Sequence, residues 1–317
     1  MKRLLVLSAA FAMLWAAPTR SAGQEPVASP ADLVSTWTLT SIERNLSSGK
    51  PERMMNARGL LIFDGAGHAF EFFTTASRQL PEAPQADPLR AFNSNGGFWG
   101  GYQVDAARST ITFKAEGAIS PSVMGRQFSR TFALSENRLT MTSQDELHAQ
   151  GGTRWTWERV PTIDHLSPLY RQVVGFWEHV VEKRVNLTTG AVLSENKRAP
   201  SVIIYTPGGF VGVHFPPLNR KPFAADDPTA EEARAALMGY IGYYGALTVY
   251  PGQVFHNILA GLSPGSGSIL RRFVEIKGNE VTVRLQGGGN QQGQQTATLV
   301  TLRRLSGEAD MLPPGQR

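Results

Sequence analysis

The dominant pattern along the chain is alternation. Short runs rich in Val, Ile, Phe, Tyr and Thr are separated by Gly, Asn and Asp, the period-two signature of half-buried strands joined by tight turns. Ser48-Gly49, Asp64-Gly65-Ala66-Gly67, Glu136-Asn137 and Lys277-Gly278-Asn279 have the chemistry of hairpin tips. Helical signals are few. Ser29-Pro30 and Ser167-Pro168 each read as an N-cap followed by a first-turn proline. Asp227-Pro228 leads into a clearer helix, expected over Thr229 to Met238, with Glu231 and Glu232 in its first turn.

The pattern occurs twice in the same order. Leu33-Val34-Ser35-Thr36-Trp37 parallels Val173-Val174-Gly175-Phe176-Trp177, and Leu60-Leu61-Ile62-Phe63 parallels Val202-Ile203-Ile204-Tyr205. Arg130-Thr131-Phe132 parallels Arg271-Arg272-Phe273, and Trp155 to Val160 parallels Val300 to Leu305. A duplication of this length sets the architecture. It predicts one module over 24–160, a linker over 161–167, a second module over 168–305 and a frayed tail over 306–317. The linker is short, so the modules should pack on each other. Many short antiparallel strands with one short helix at the barrel end point to an all-β fold of two tandem antiparallel β-barrels. Closure removes the exposed edges of an open sheet. A barrel of about eight strands has room for side chains or one small ligand.

The first residues belong to a different category. Lys2 and Arg3 precede an apolar run from Leu4 to Ala17, and small residues follow at Ser21-Ala22-Gly23. That order predicts a signal peptide over 1–23, cleaved within 21–23, and a mature protein that is periplasmic or secreted. The run is shorter than the ~20 residues of a membrane span, so no span is expected in the mature chain. Residues 1–23 hold Lys2, Arg3 and Arg20 and no acid, so their removal takes three charges from the formal net +5 and leaves +2. The remaining cations are scattered, which argues against a nucleic-acid partner. The chain has no cysteine. That excludes disulfides, thiolate chemistry, cysteine-held metals and a lipid anchor on cysteine.

Leu-Val-x-x-Trp at 33–37, Val-Val-Gly-Phe-Trp at 173–177, Gly-Leu-Leu-Ile-Phe at 59–63, Gly-Tyr-Gln-Val-Asp at 101–105 and Trp-x-x-Glu-Arg-Val at 155–160 together resemble the bacterial lipocalin-like domain family, in two tandem copies. The resemblance implies lipocalin-like barrels whose first-strand tryptophan packs under an arginine of the last strand, here Trp37 with Arg159 and Trp177 with Arg304. It also implies a small hydrophobic ligand, and it includes enzymes that cyclise or isomerise their substrates in a pocket. The second copy departs from it at Val300 and Leu302, which replace Trp155 and Trp157, and the first has Ser35 where the motif has glycine.

Strand parity nominates the chemistry. His256 shares a face with Val254 and Ile258, and His214 with Phe210 and Gly212. The repeat alignment sets them opposite Ile111 and Phe72. The second barrel is therefore expected to hold two histidines where the first is apolar. Two readings stand for them: acid–base groups, with Tyr244 as a third catalytic candidate, or neutral, hydrogen-bonded core residues. Tyr243 and Tyr244 in one copy, and Trp99 and Tyr102 in the other, suit the mouth of an apolar pocket, and equally suit ordinary strand positions packed under a helix. Arg130 and Arg271 recur at one repeat position; turned inward they would suggest an anionic head group, and turned outward, the reading preferred from sequence, they are solvated strand arginines. Two histidines are too few for a catalytic zinc, and neither a metal nor a cofactor is expected. Three functions follow: an exported binder of a small hydrophobic molecule in one or both barrels, a cofactor-independent cyclase or isomerase in the second barrel, or a filled-barrel interaction module of the cell envelope.

Overall fold

The computed structural model describes residues 29–45, 50–75, 87–143, 152–262, 267–285, 295–313 and 315–316. The expected signal peptide and the Ser48-Gly49 tip lie outside the described residues.

The first module opens with α1 (Pro30–Leu33) and continues through β1 (Ser35–Asn45), β2 (Pro51–Arg53), β3 (Arg58–Phe63) and β4 (His68–Thr74). Next come α2 (Pro88–Asn93), β5 (Asn95–Asp105), β6 (Thr110–Ala118), β7 (Gln127–Ser135), β8 (Arg138–Ser143) and β9 (Thr153–Arg159). The second repeats this order. It comprises α3 (Pro168–Val173), β10 (Gly175–Asn186), β11 (Val192–Asn196), β12 (Val202–Tyr205), β13 (Phe210–Phe215) and α4 (Ala230–Leu237). It ends with β14 (Ile241–Tyr250), β15 (Gln253–Gly261), β16 (Ile269–Lys277), β17 (Glu280–Leu285) and β18 (Thr296–Arg304), and α5 (Glu308–Met311) follows. Each set is antiparallel with neighbours in sequence order. The β1–β9 and β10–β18 pairings close each sheet into an eight-stranded barrel, with β2 and β11 as outlying hairpin arms. The expected all-β tandem barrel is therefore what forms.

The two barrel bases are built alike. Arg159 lies over the Trp37 ring at 4.2 Å, and Arg304 over Trp177 at 4.1 Å. Each indole N–H donates to the helix one turn earlier, Trp37 to Leu33 O at 3.0 Å and Trp177 to Val173 O at 2.6 Å. Both tryptophans are fully buried. The stacked cation is worth about 0.5–2 kcal/mol. Gly175 stands where the first barrel has Ser35, because a Cβ at 175 would lie 2.0 Å from Ser306 O. Only in the second barrel does the chain fold back across this point. Ser306 is buried and Met311 of α5 packs into the core, which corrects the expectation that this tail frays.

Alternation places Leu61, Phe63, Ala69, Phe98 and Phe113 inside the first barrel. Leu60, Ile62, Phe70, Phe72 and Trp99 point the other way, yet are just as buried. They join the hydrophobic core that includes the second barrel. The modules do pack on each other, and through equivalent strands. Phe70 fills the space above Gly212, whose added Cβ would sit 2.6 Å from the Phe70 ring. Phe72 faces His214 at 5.9 Å and Tyr244 at 6.0 Å between ring centroids. Phe72 pairs with Leu60 as His214 pairs with Val202, so these two residues hold the same place in their barrels and meet each other. The contact is close to isologous, as between the subunits of a two-fold dimer. Phe92 of α2 packs edge-on to Phe223 just before α4, at 5.3 Å.

A side chain at Gly212 should force the barrels apart. Gly212→Leu is expected to cost about 1–3 kcal/mol by overpacking, measured as a lowered denaturation midpoint. A variant as stable as the parent would show that Phe70 is free to move aside.

Candidate ligand-binding site

The first barrel contains a cavity of about 290 Å³. Ile42, Phe73, Phe98, Phe128 and Trp155 form its apolar walls. Among the described residues, the rest of the lining comes from Arg44 of β1, α2 and the start of β5, Ile119, Ser120 and Val123 after β6, Thr153 of β9, and Asp227 of the second module, together with two further charged residues. Glu71 and Arg130 line it from facing strands, 1% and 4% exposed. Arg130 donates from Nη1 to Glu71 Oε2 at 2.5 Å and from Nη2 to Oε1 at 3.1 Å. Its guanidinium also lies 4.2 Å from the Trp155 ring centroid. A bidentate fork of this kind is what lets two charges persist where desolvation opposes them.

Four buried polar atoms on residues lining this cavity have no protein partner: Trp155 Nε1, Arg44 Nε, Asn95 Oδ1 and Ser120 Oγ. Buried polar groups are nearly always hydrogen-bonded, so these four are exceptions, and they lie behind the cavity's surface and not on it. The loop bearing Ser120 is fixed by the second module. Arg220 donates to Ala118 O at 2.5 Å, to Ile119 O and to Ala236 O at 2.9 Å. The Phe223 backbone N–H donates to Ser122 Oγ at 2.9 Å.

The second barrel has a different interior. His256 sits between two tyrosines, with Nε2 3.2 Å from the Tyr205 hydroxyl and Nδ1 2.8 Å from that of Tyr243. Burial pushes His256 down to about 3, assisted by the nearby Arg272. Burial likewise pushes Tyr243 up to about 12 and raises Tyr205. All three are neutral at ordinary pH. The register shows what they replace. Matching bulges fall at Trp99/Gly100 and Tyr244/Gly245, which makes His256 the counterpart of Phe113 rather than of Ile111. Tyr205 and Tyr243 then stand for Phe63 and Phe98, and Val213 for Glu71.

The structure redistributes the nominated residues. Arg130 lines the cavity. Ile111 is buried inside the first barrel beside it in the ladder. Tyr102 donates its hydroxyl to Asp64 O at 2.7 Å and packs on Phe63 at 4.8 Å, away from the cavity. Phe72, Trp99 and Tyr244 lie between the barrels, where Trp99 Nε1 donates to Pro200 O at 3.2 Å. His214 lies there too, on the outer face instead of the expected interior. A carbonyl only accepts, so His214 Nε2 carries the proton and donates to Glu71 O at 2.9 Å, and Nδ1 accepts from the Tyr240 hydroxyl at 2.8 Å. Burial lowers His214 to about 4, with Arg220 adding to the effect and the Glu71 carbonyl opposing it. Arg271 points outward onto Phe273 at 4.5 Å and Gln253 at 2.6 Å. Arg272 is the true counterpart of Arg130, since they pair with Val254 and Ile111. Glu71, Trp155, Arg44, Asn95 and Ser120 were not nominated. For Glu71 the signal was present: it alternates with Ala69 and Phe73 in the run His68-Ala69-Phe70-Glu71-Phe72-Phe73. Among the described residues, no group of three or more His, Asp or Glu is placed to hold a metal.

Two closed eight-stranded barrels in tandem, the first with a polar-studded cavity, define a lipocalin-like protein. The first barrel belongs to the lipocalin-like domain family, whose model matches residues 34–160, and the second repeats its strand order. No curated protein matches the sequence. Among solved structures, a protein of unknown function of the DUF3598 family from Nostoc punctiforme PCC 73102 is similar at 10% identity and TM-score 0.22, over 86% of this chain and 97% of that one. A tryptophan-to-alanine mutant of the vaccine antigen Transferrin Binding Protein B from Haemophilus parasuis Hp5 is similar at 6% identity and TM-score 0.20, over 85% of this chain and 66% of that one. At these scores neither likeness bears on function.

The two interiors make separate predictions. Glu71→Gln should cost about 3–5 kcal/mol by leaving Arg130 buried without its counter-charge. Glu71→Val combined with Arg130→Met should cost less than the two single changes added together. Denaturant titration of the three variants would show additivity if the fork is not formed. The histidines set an acid limit. Their folded values, about 3 for His256 and about 4 for His214, lie below the ordinary 6.5. The stability they contribute is therefore whole above about pH 6.5 and lost as pH falls towards those values. The melting temperature should drop across that window, and His256→Phe should flatten part of the drop. An unchanged slope would place His256 in contact with water.

Proposed function

We propose that this protein is an exported binder of one small molecule, held in the cavity of the first barrel. The observation that carries the reading is the cavity of about 290 Å³, with aromatic walls and the buried Glu71–Arg130 pair in its lining. Its volume falls at the lower edge of ligand sites, ~300–1,000 Å³. The second module serves as scaffold and fixes the rim through Arg220. Export rests on the character of residues 1–23 and places the mature chain in the periplasm or outside the cell. No helix among the described residues is long and apolar enough to cross a membrane. Catalysis in the second barrel has less to recommend it. Both ring nitrogens of His256 and of His214 are engaged by neutral protein groups.

Native mass spectrometry of the mature protein, recovered gently from its host, is expected to release one small molecule per chain. Ser120→Trp, which crowds the rim, should weaken uptake of the neutral fluorescent probe N-phenylnaphthylamine by at least ~10-fold, about 1.4 kcal/mol. His256→Phe should leave uptake unchanged. A protein that arrives empty and takes up no probe would return the barrels to a structural role, and loss of uptake in His256→Phe alone would move the site to the second barrel. Intact mass should show a new N-terminus within residues 22–24; an uncleaved chain in the cytosol would remove the export part of the reading.

A further inference from the structure

We propose that the outer face of the second barrel, across β14 to β17, is a docking surface for an acidic segment of another protein, which presents carboxylates to Arg271 and Arg284.

The duplication supplies the comparison. With the bulges of the two barrels aligned, Tyr250, Phe255, Arg271, Phe273 and Arg284 stand where the first barrel has Asp105, Thr112, Ser129, Thr131 and Thr142. The first set is an ordinary solvated sheet face. Thr112 and Ser129 hydrogen-bond each other at 2.8 Å, and the Thr131 hydroxyl donates to Thr142 O at 3.3 Å. In the second set every position carries an aromatic ring or a guanidinium. Barrel closure does not require the exchange, because the first barrel closes without it.

The exchanged residues form one connected patch. Tyr250 packs edge-on to Phe255 at 5.6 Å. Arg271 lies over Phe273 at 4.5 Å, and Arg284 lies over the same ring at 4.1 Å. Two like charges thus rest on one phenyl group, and like charges held close oppose each other. Among the described residues, neither has an ion-pair partner. Glu275, two residues beyond Phe273, is held by Lys277 at 2.7 Å, and Glu195 by Lys183 at 3.5 Å. Residues 263–266 and 286–294, outside the described set, include no acid. The arrangement is unfavourable in the free protein and is relieved by an anion that reaches both guanidiniums. Arg271 commits Nε to Gln253 at 2.6 Å, which leaves its two Nη groups for such a partner.

Composition selects the kind of partner. Tyr, Phe and Arg are enriched at the centres of protein interfaces and Lys is depleted, and the patch has two arginines and no lysine. A guanidinium stacked on a ring has already given up rotamer freedom, and its planar N–H edge suits a carboxylate in two-point contact. Tyr250 and Ile269 flank it, 54% and 64% exposed, as apolar contacts for the rest of the segment. A second copy of this chain laid on the same face would bring four arginines together, so the surface is not its own partner.

Fluorescence anisotropy of labelled poly-L-glutamate, titrated with the full mature chain in about 0.15 M salt, tests the proposal. Binding should saturate. Arg271→Gln combined with Arg284→Gln should weaken it at least ~10-fold. Arg53→Gln combined with Arg138→Gln removes the same charge from exposed positions of the first module and should change it less than about 2-fold. Arg284→Lys keeps the charge and loses the planar fork, and should weaken binding about 3–5-fold. Phe273→Thr installs the first barrel's residue, removes the platform and should do the same, which keeps the test alive if the double arginine variant fails to fold. Absent binding, an unaffected double variant, or equal losses in both double variants would overturn the surface. Vesicles of phosphatidylcholine and phosphatidylglycerol form the last arm. Binding to them that is lost with Arg271 and Arg284, at or above the strength seen with the polypeptide, would overturn the protein partner in favour of a membrane surface. None of these outcomes depends on the cavity of the first barrel.

Discussion

The rest of the structure depends on β4 being buried on both faces. Its inner side chains, Ala69, Glu71 and Phe73, belong to the first barrel, and its outer ones, Phe70 and Phe72, belong to the contact with the second. Burying a large apolar side chain contributes about 1.5–3 kcal/mol, so the outer face alone is a substantial share of a marginal total. The contact is specific because it is not flat. Phe70 needs the missing side chain of Gly212, and His214 needs the carbonyl of Glu71. Glu71 therefore serves both barrels at once, its carboxylate within the cavity and its backbone oxygen towards the neighbour.

One frame thus carries two interiors. At matching positions the first barrel has Phe63, Phe98 and Phe113, and the second has Tyr205, Tyr243 and His256. Each set is internally consistent. The three phenylalanines need no partners, and the two phenols and the imidazole satisfy one another. Mixing the sets would strand a polar group in either barrel. An inward arginine is common to both, but it meets a carboxylate only in the first, where Val213 has its counterpart in Glu71. The open space and the unpartnered polar atoms described above lie on that same side of the duplication.

Much of this was legible in the sequence. Alternation, turn residues and the ordered repeat imply two closed barrels, and the Trp37–Arg159 and Trp177–Arg304 stacks follow from the motif at the ends of each copy. Helix α4 starts one residue later than its cap signal, because Thr229 is the cap itself. The site was less legible, for two physical reasons. Where both faces of a strand are buried, as at Phe70-Glu71-Phe72, parity separates the faces without saying which one is the interior. His214 was misplaced for the same reason. The other reason is that a bulge changes the count. The irregularity at Tyr244/Gly245 shifts the partner of His256, and between the adjacent Arg271 and Arg272 a one-residue error exchanges inside for outside.

The shared contact has a consequence for how the molecule can be divided. Duplicated modules on a short linker invite the idea that either half is a portable part. Here the first half cut free would present Leu60, Ile62, Phe70, Phe72 and Trp99 to water as one adhesive apolar patch of the sort that drives self-association. It would also lose Arg220, and with it the anchor of the loop at the cavity's edge. The pair behaves as a dimer fused into one chain, and its unit of inheritance is the couple, not the barrel.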